Sequence, residues 1–242
     1  MNRQRQSGNA IVFILLGIAL FAGLAHTFMR GSQQGQGDLS AHQTKLLATE
    51  YMGYGASIRK AIERLLNRGC SESELSFQSS NWPDATWYQN NNSPVNNSCH
   101  IFHPDGGGIT WTDFPTIKYD SNYGSPWFAT GDTGAALTVQ GFGTDTRHDL
   151  YMATTQRTDL GNNGNAMKLC KEINKIGNVP ENSSNLEKLP SFYHGAFNMR
   201  YKGVFNDNNG AINVGANLNG YSAFCAQVDG NTFTIITPLL IR

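Results

Sequence analysis

The order of apolar and polar positions divides the chain into three stretches. Residues 10–29 contain no Asp, Glu, Lys or Arg, with Arg3 and Arg5 the only charged side chains ahead of them and Arg30 directly behind. A helix rises about 1.5 Å per residue, so a run of this length reaches about 30 Å, the thickness of a bilayer's hydrocarbon core. Its Ile, Leu, Phe and Val side chains favour insertion by roughly −3 to −7 kcal/mol in sum. The pattern therefore predicts a transmembrane helix over residues 9–30, with the basic leader 1–8 on the cytoplasmic side. The alternative reading is a secretory signal peptide cut near Ala25, after the small-residue run Gly23-Leu24-Ala25.

A second period begins after a Gly/Gln stretch. Gly31, Gly35 and Gly37 disfavour continuous helix, so residues 31–37 read as a hinge. From residue 38, Leu47, Tyr51, Tyr54, Ile58, Ile62 and Leu65 recur in steps of three and four, the stripe of an amphipathic helix over residues 38–69. Ser40 and Gln43 have capping-box spacing, and Gly69 stands where a helix ends. Such a helix must lay its stripe along a sheet or a partner. His42 falls off the stripe and is expected to face solvent.

From residue 70 the period shortens to that of strands. Residues 109–114, 127–130, 136–140, 150–155, 196–204, 211–214, 221–228 and 232–238 are strand candidates, many separated by Gly, Asn or Asp. Asn208-Asn209-Gly210 and Asp229-Gly230-Asn231 are hairpin signals. One helix interrupts the strands at residues 165–176, with Met167 or Leu169, Cys170, Ile173 and Ile176 on its inner side and Gly177 after it. The stretch 89–98 is rich in Asn and Ser and reads as an exposed loop.

Composition narrows the chemistry. The charges sum to zero and no Lys/Arg cluster occurs, which argues against nucleic acid. The four cysteines, Cys70, Cys99, Cys170 and Cys225, all follow residue 69, and an even count in an exported domain favours disulfides. Three pairings are possible. Cys70–Cys99 with Cys170–Cys225 closes the shorter loops and is preferred. Cys99-His100-Ile101-Phe102-His103 offers the rival zinc reading, but without a Cys-x-x-Cys partner the signal is weak. A strand running into the turn at residues 103–108 explains it as well. No Gly-x-Ser-x-Gly or phosphate loop occurs, and His148 has no singled-out serine. Glu72 with Glu74, Asp105 with Asp113, and the turn aspartates Asp145, Asp149 and Asp207 are ordinary turn chemistry. Trp82, Trp87, Tyr88, Trp111, Trp127, Tyr119 and Tyr123 make the first half of the head aromatic. Core packing is the expectation for most of them, and contact with a glycan or a protein partner is the rival.

The leader itself carries a resemblance. A short basic segment ending in Gly8, with an apolar helix directly behind it, resembles the precursors of type IV pilins and of the minor pseudopilins of type II secretion systems. The resemblance covers residues 1–70. It implies cleavage between Gly8 and Asn9 by a prepilin peptidase. It also implies an inner-membrane anchor with a periplasmic head, and assembly through the N-terminal helix with like or related subunits, as a filament outside the cell in the fullest case. Phe13 stands where these families usually carry Glu, and Asn9 where they carry an apolar residue, which suits a minor subunit better than a main one. Gly17 and Gly23 would allow close helix approach, at a spacing other than Gly-x-x-x-Gly. The whole chain is also similar to a group of alphaproteobacterial proteins with pilin-like N-termini and no assigned activity. The shared motifs are Ser7-Gly8-Asn9-Ala10, Asn67 to Cys70 with Leu75-Ser76-Phe77, Cys99-His100-Ile101-Phe102 with Pro104-Asp105-Gly106-Gly107-Gly108, and Leu169-Cys170-Lys171-Glu172-Ile173-Asn174.

Together these readings predict an α+β protein in five parts. They are a leader (1–8), a transmembrane or assembly helix (9–30), a hinge (31–37), an amphipathic helix (38–69), and a disulfide-bonded antiparallel β-rich head with one short helix (70–242). The expected role is a structural subunit that contacts membrane lipid and like subunits. No cofactor, metal or catalytic residue is assigned. A binding protein that forms no filament is the first alternative and a secreted hydrolase the second.

Overall fold

In the computed structural model the described residues are 39–82, 84, 86–114, 125–132, 135–138, 149–157, 164–180, 200–205, 211–213, 221–227 and 232–242. The chain divides into two units, Met1–Gly37 and Asp38–Arg242, and all the described residues belong to the second. Helix α1, Ala41–Asn67, opens at Ser40, whose hydroxyl accepts from Gln43 N at 3.3 Å while Gln43 Oε1 accepts from Ser40 N at 3.0 Å. This is the capping box expected from the sequence. The helix ends where Gly69 adopts φ +101°, a conformation that favours glycine. Leu47, Tyr51, Ile58, Ile62 and Leu65 are buried as the stripe requires, and His42 is exposed. Tyr54 is half-buried and carries an edge contact to Phe114 at 5.9 Å.

The strands form two sheets. Strands β1 (Trp127–Ala129), β4 (Leu150–Arg157), β6 (Phe224–Gln227) and β7 (Thr232–Leu240) make an antiparallel sheet of order β1-β4-β7-β6. Strands β2 (Gly131–Asp132), β3 (Ala135–Thr138) and β5 (Ala211–Asn213) make a smaller one of order β2-β3-β5, in which β3 and β5 run parallel. The C-terminal hairpin is as the sequence predicts, with Phe224 opposite Ile236 and Gln227 opposite Phe233. Strand β7 continues through Pro238. A register shift between Leu150 and Tyr151 opens the ladder there, and the paired stretch of β6 reaches only to Ile236. A proline at such an irregularity removes no ladder bond.

Helix α1 lies across β4 and β7. The Tyr51 hydroxyl is 2.9 Å from Thr154 Oγ1, and Arg59 donates to Pro238 O at 3.0 and 2.6 Å. Gly55 brings the backbones together, since a Cβ on it would sit 2.8 Å from Thr237 Cγ2. Helix α2, Asn165–Ile176, packs beside α1, with Asn165 Oδ1 accepting from Leu39 N at 2.9 Å. It buries Leu169, Cys170 and Ile173, and leaves Met167 40% exposed, which settles which of the two candidates faces inward. Cys170 is bonded to Cys225 of β6, and Cys70 to Cys99.

Several expectations need correction. Among the described residues no helix is long and apolar enough to cross a membrane. Helix α1 is long enough, but Lys45, Glu50, Arg59, Lys60, Glu63 and Arg64 line it, and α2 has 12 residues. The fold class is corrected to α+β with one long amphipathic helix, one short helix and two sheets. The single-pass inner-membrane placement is corrected with it, since no described helix supplies a span. The predicted helix 9–30, with Phe13, Gly17 and Gly23, the cleavage pair Gly8 and Asn9, and the hinge 31–37 lie outside the described residues. The head is not wholly antiparallel. Residues 109–114 are irregular rather than a strand, and so is the described part of the 196–204 candidate, where Arg200 makes a single bridge to Ala129.

Candidate functional site

A groove of about 800 Å³ lies beside the Cys70–Cys99 bridge. One wall is the segment 78–81, and the other is the loop from Asn97 to Trp111. The loop is built by its own backbone. Ser76 N donates to Cys99 O at 3.1 Å, Ile101 N to Ser76 O at 2.9 Å, Gly107 N to His100 O at 2.8 Å, and Ile109 N to Ile101 O at 3.1 Å. A Cβ on Gly106 would lie 2.0 Å from His100 O, so only glycine closes this turn. Two arginines from the end of α1 hold the same turn. Arg64 donates to Gly107 O, and Arg68 to Gly106 O at 2.7 Å.

Behind the groove lies an aromatic cluster. Phe77 stacks on Phe128 at 4.2 Å, and Trp82 sits 4.5 Å from Tyr88 and 4.1 Å from Trp111. Trp82, Tyr88 and Trp127 are buried, as expected of core residues. Burial pushes the Tyr88 hydroxyl well above its usual range, so it stays neutral and accepts from Phe128 N at 3.0 Å. Trp87 is half-buried under the Arg200 guanidinium, 3.7 Å away. Trp111 is half-buried too, and it lines the groove with Phe102. Tyr119 and Tyr123 lie outside the described residues.

His100 and His103 face the groove with ring centroids 6.5 Å apart. Desolvation, and then the neighbouring His103, hold the His100 imidazole below its usual pKa, so it is neutral at pH 7. The zinc reading fails on chemistry, because the Cys99 sulfur is bonded to Cys70 and offers no thiolate. Among the described residues no group of three candidate metal ligands occurs.

No family model, curated protein or solved structure matches this chain. Its chemistry therefore rests on the geometry of the groove.

The candidate carboxylates are scattered and mostly engaged. Glu72 pairs with Arg242 at 3.1 Å, and Glu74 accepts from Ser71 N at 2.7 Å. Asp113 accepts from the Ser125 hydroxyl at 3.2 Å, and Asp149 from Arg242 N at 3.0 Å. Asp105 is 3.5 Å from His103 Nδ1 at the rim. His148, Asp145 and Asp207 lie outside the described residues. The arrangement is that of a recess able to hold a ligand, and no Asp or Glu is among the residues that line it.

Sequence reasoning missed Gln78, Asn81 and Asn97 as groove residues. The stretch 89–98 read as a wholly exposed loop. Asn90 within it is buried and donates to Ser73 O and Leu75 O at 2.8 and 2.7 Å, and Asn97 reaches the groove. The buried Asn90 follows the buried Tyr88 at a spacing of two, a short alternation lost among polar neighbours.

Proposed function

We propose that this chain is a pilin-like structural subunit, with the unit Asp38–Arg242 as its presented head and the apolar residues 10–29 as the part that joins copies. The observation that carries the reading is α1. It starts at a capping box directly after the Gly/Gln stretch and lays one apolar stripe along a four-stranded antiparallel sheet. An apolar run, then an amphipathic helix, then a β-rich head is the order of parts that a pilin subunit has. The exposed face of α1 keeps Lys45, Leu46, Glu50 and Lys60 outside, a mixed surface suited to neighbouring subunits.

The test is assembly. The full chain, expressed with a prepilin peptidase, is expected to begin at Asn9. It is expected to sediment as an oligomer, or to form filaments visible by negative-stain electron microscopy. Replacing Ile14 and Ile18 by Asp should abolish the assemblies while leaving the circular dichroism of the head unchanged. A full chain that sediments as a monomer at every concentration overturns the reading.

A further inference from the structure

We propose that the groove between residues 78–81 and the Asn97–Trp111 loop binds a neutral oligosaccharide, a role independent of how copies join. None of the side chains that line it is a Lys, Arg, Asp or Glu, so an ionic ligand finds no direct counter-charge on the walls. The volume, about 800 Å³, lies within the range of small-ligand sites.

The remaining chemistry matches a sugar on both of its surfaces. Trp111 is wedged 4.1 Å from Trp82 and 5.3 Å from Phe102, which fixes its orientation before any ligand arrives. An aromatic face held in this way stacks on the C–H face of a pyranose. The polar side chains supply the hydroxyl partners. The amides of Gln78, Asn81 and Asn97 and the His100 ring make no hydrogen bond among the described residues. Each amide offers a donor and an acceptor, and so does a neutral imidazole, which is what a hydroxyl group needs. The walls are also pinned, by Arg64, Arg68 and the Cys70–Cys99 bridge, so little ordering is required on binding.

A peptide fits this wall less well. Extended peptides add to a free strand edge, and here the backbone of Ser76, Cys99, Ile101 and Ile109 is already paired within the wall.

The test uses the full chain, with isothermal titration calorimetry and tryptophan fluorescence as readouts. The probes are cellotriose, maltotriose and N-acetylchitotriose, with a sialylated trisaccharide as the charged control and a random-peptide array beside them. At least one neutral trisaccharide is expected to release heat and shift the emission, with the sialylated probe weaker by about tenfold or more. Trp111→Ala should weaken binding by about tenfold or more. Because Trp111 touches the core, Asn81→Ala and Gln78→Ala serve as the second arm. Asn81 is exposed and Gln78 half-buried. Each should weaken binding severalfold with unchanged circular dichroism, and Met167→Ser, at an exposed position of α2 outside the groove lining, should have no effect. Silence from all three neutral probes overturns the proposal. So does binding that survives in both amide variants, or a peptide ligand that binds at Trp111 where no sugar does.

Discussion

Single side chains divide here by what surrounds them rather than by type. Gly53 and Gly55 lie two apart on α1, and only one needs to be glycine. A Cβ on Gly53 meets nothing within 4 Å, whereas one on Gly55 runs into Thr237 and Met152 of the sheet. Gly53→Ala should therefore raise the unfolding free energy by about 0.5–1 kcal/mol. Gly55→Ala should lower it, by about 1–3 kcal/mol if the clash forces the helix outward. Paired urea melts would reveal the opposite signs, and equal effects would remove the close approach from the account. Asn174 is a second case. Its side chain donates to Cys225 O at 2.8 Å and accepts from Cys225 N at 2.7 Å, closing the outer edge of β6. Asn174→Ala orphans two buried backbone groups and should destabilise by about 2–4 kcal/mol, far more than Lys171→Ala on the outer face of the same helix. His100 gives the molecule a dependence on acid. The folded chain holds the imidazole below its usual pKa of about 6.5, so the unfolded chain takes up a proton first. The stability this residue contributes is present above that pH and is lost as pH falls through the folded value. His100→Gln should flatten the drop in thermal midpoint between pH 7 and 5, and an unchanged profile would show that other groups cause it.

At the scale of elements, α1 acts twice. Its middle binds the sheet through Tyr51, Gly55 and Arg59, and its last turns hold the groove wall through Arg64 and Arg68. The Cys70–Cys99 bridge closes the same corner, with a sequence separation of 29. The double variant Cys70→Ser/Cys99→Ser should lose about 3.6 kcal/mol of stability on the loop-entropy account. Amide exchange should rise first across residues 97–109, before the sheet opens. Uniform loss of protection would mean that the bridge guards the whole fold rather than this wall. Helix α1, helix α2 and the C-terminal hairpin were legible in the sequence because each satisfies its pattern locally. Ser40 caps α1, Gly177 follows α2, and apolar positions hold one period through each. The residues 109–114 misled, since their alternation is that of a strand while their partners are loop atoms and aromatic rings. The parallel pairing of β3 with β5 joins segments more than seventy residues apart, and no local pattern announces it.

The whole molecule divides at Gly37, and the sequence shows why a protease would find that point. Gly31, Gly35 and Gly37 are poor helix residues, flanked by an apolar run on one side and a capped helix on the other. Limited digestion with a broad-specificity protease should leave a resistant fragment that starts within a few residues of Asp38 and keeps both disulfides. A fragment that begins well inside α1 would contradict the division.

The periods of three to four and of two, the cap signals and the cysteine count came from the sequence alone, because each depends on neighbours a few residues away. They set the two helices, most strands of the main sheet and a disulfide-bonded head. The cysteine pairing preferred for its shorter loops is the one found, whereas which aromatics close the core, and that Gln78, Asn81 and Asn97 share a recess with His100 and Trp111, depended on contacts between distant segments. Those are decided by how α1, the glycine turn and the sheet pack together, since a groove is a property of the space between elements and no single element contains it.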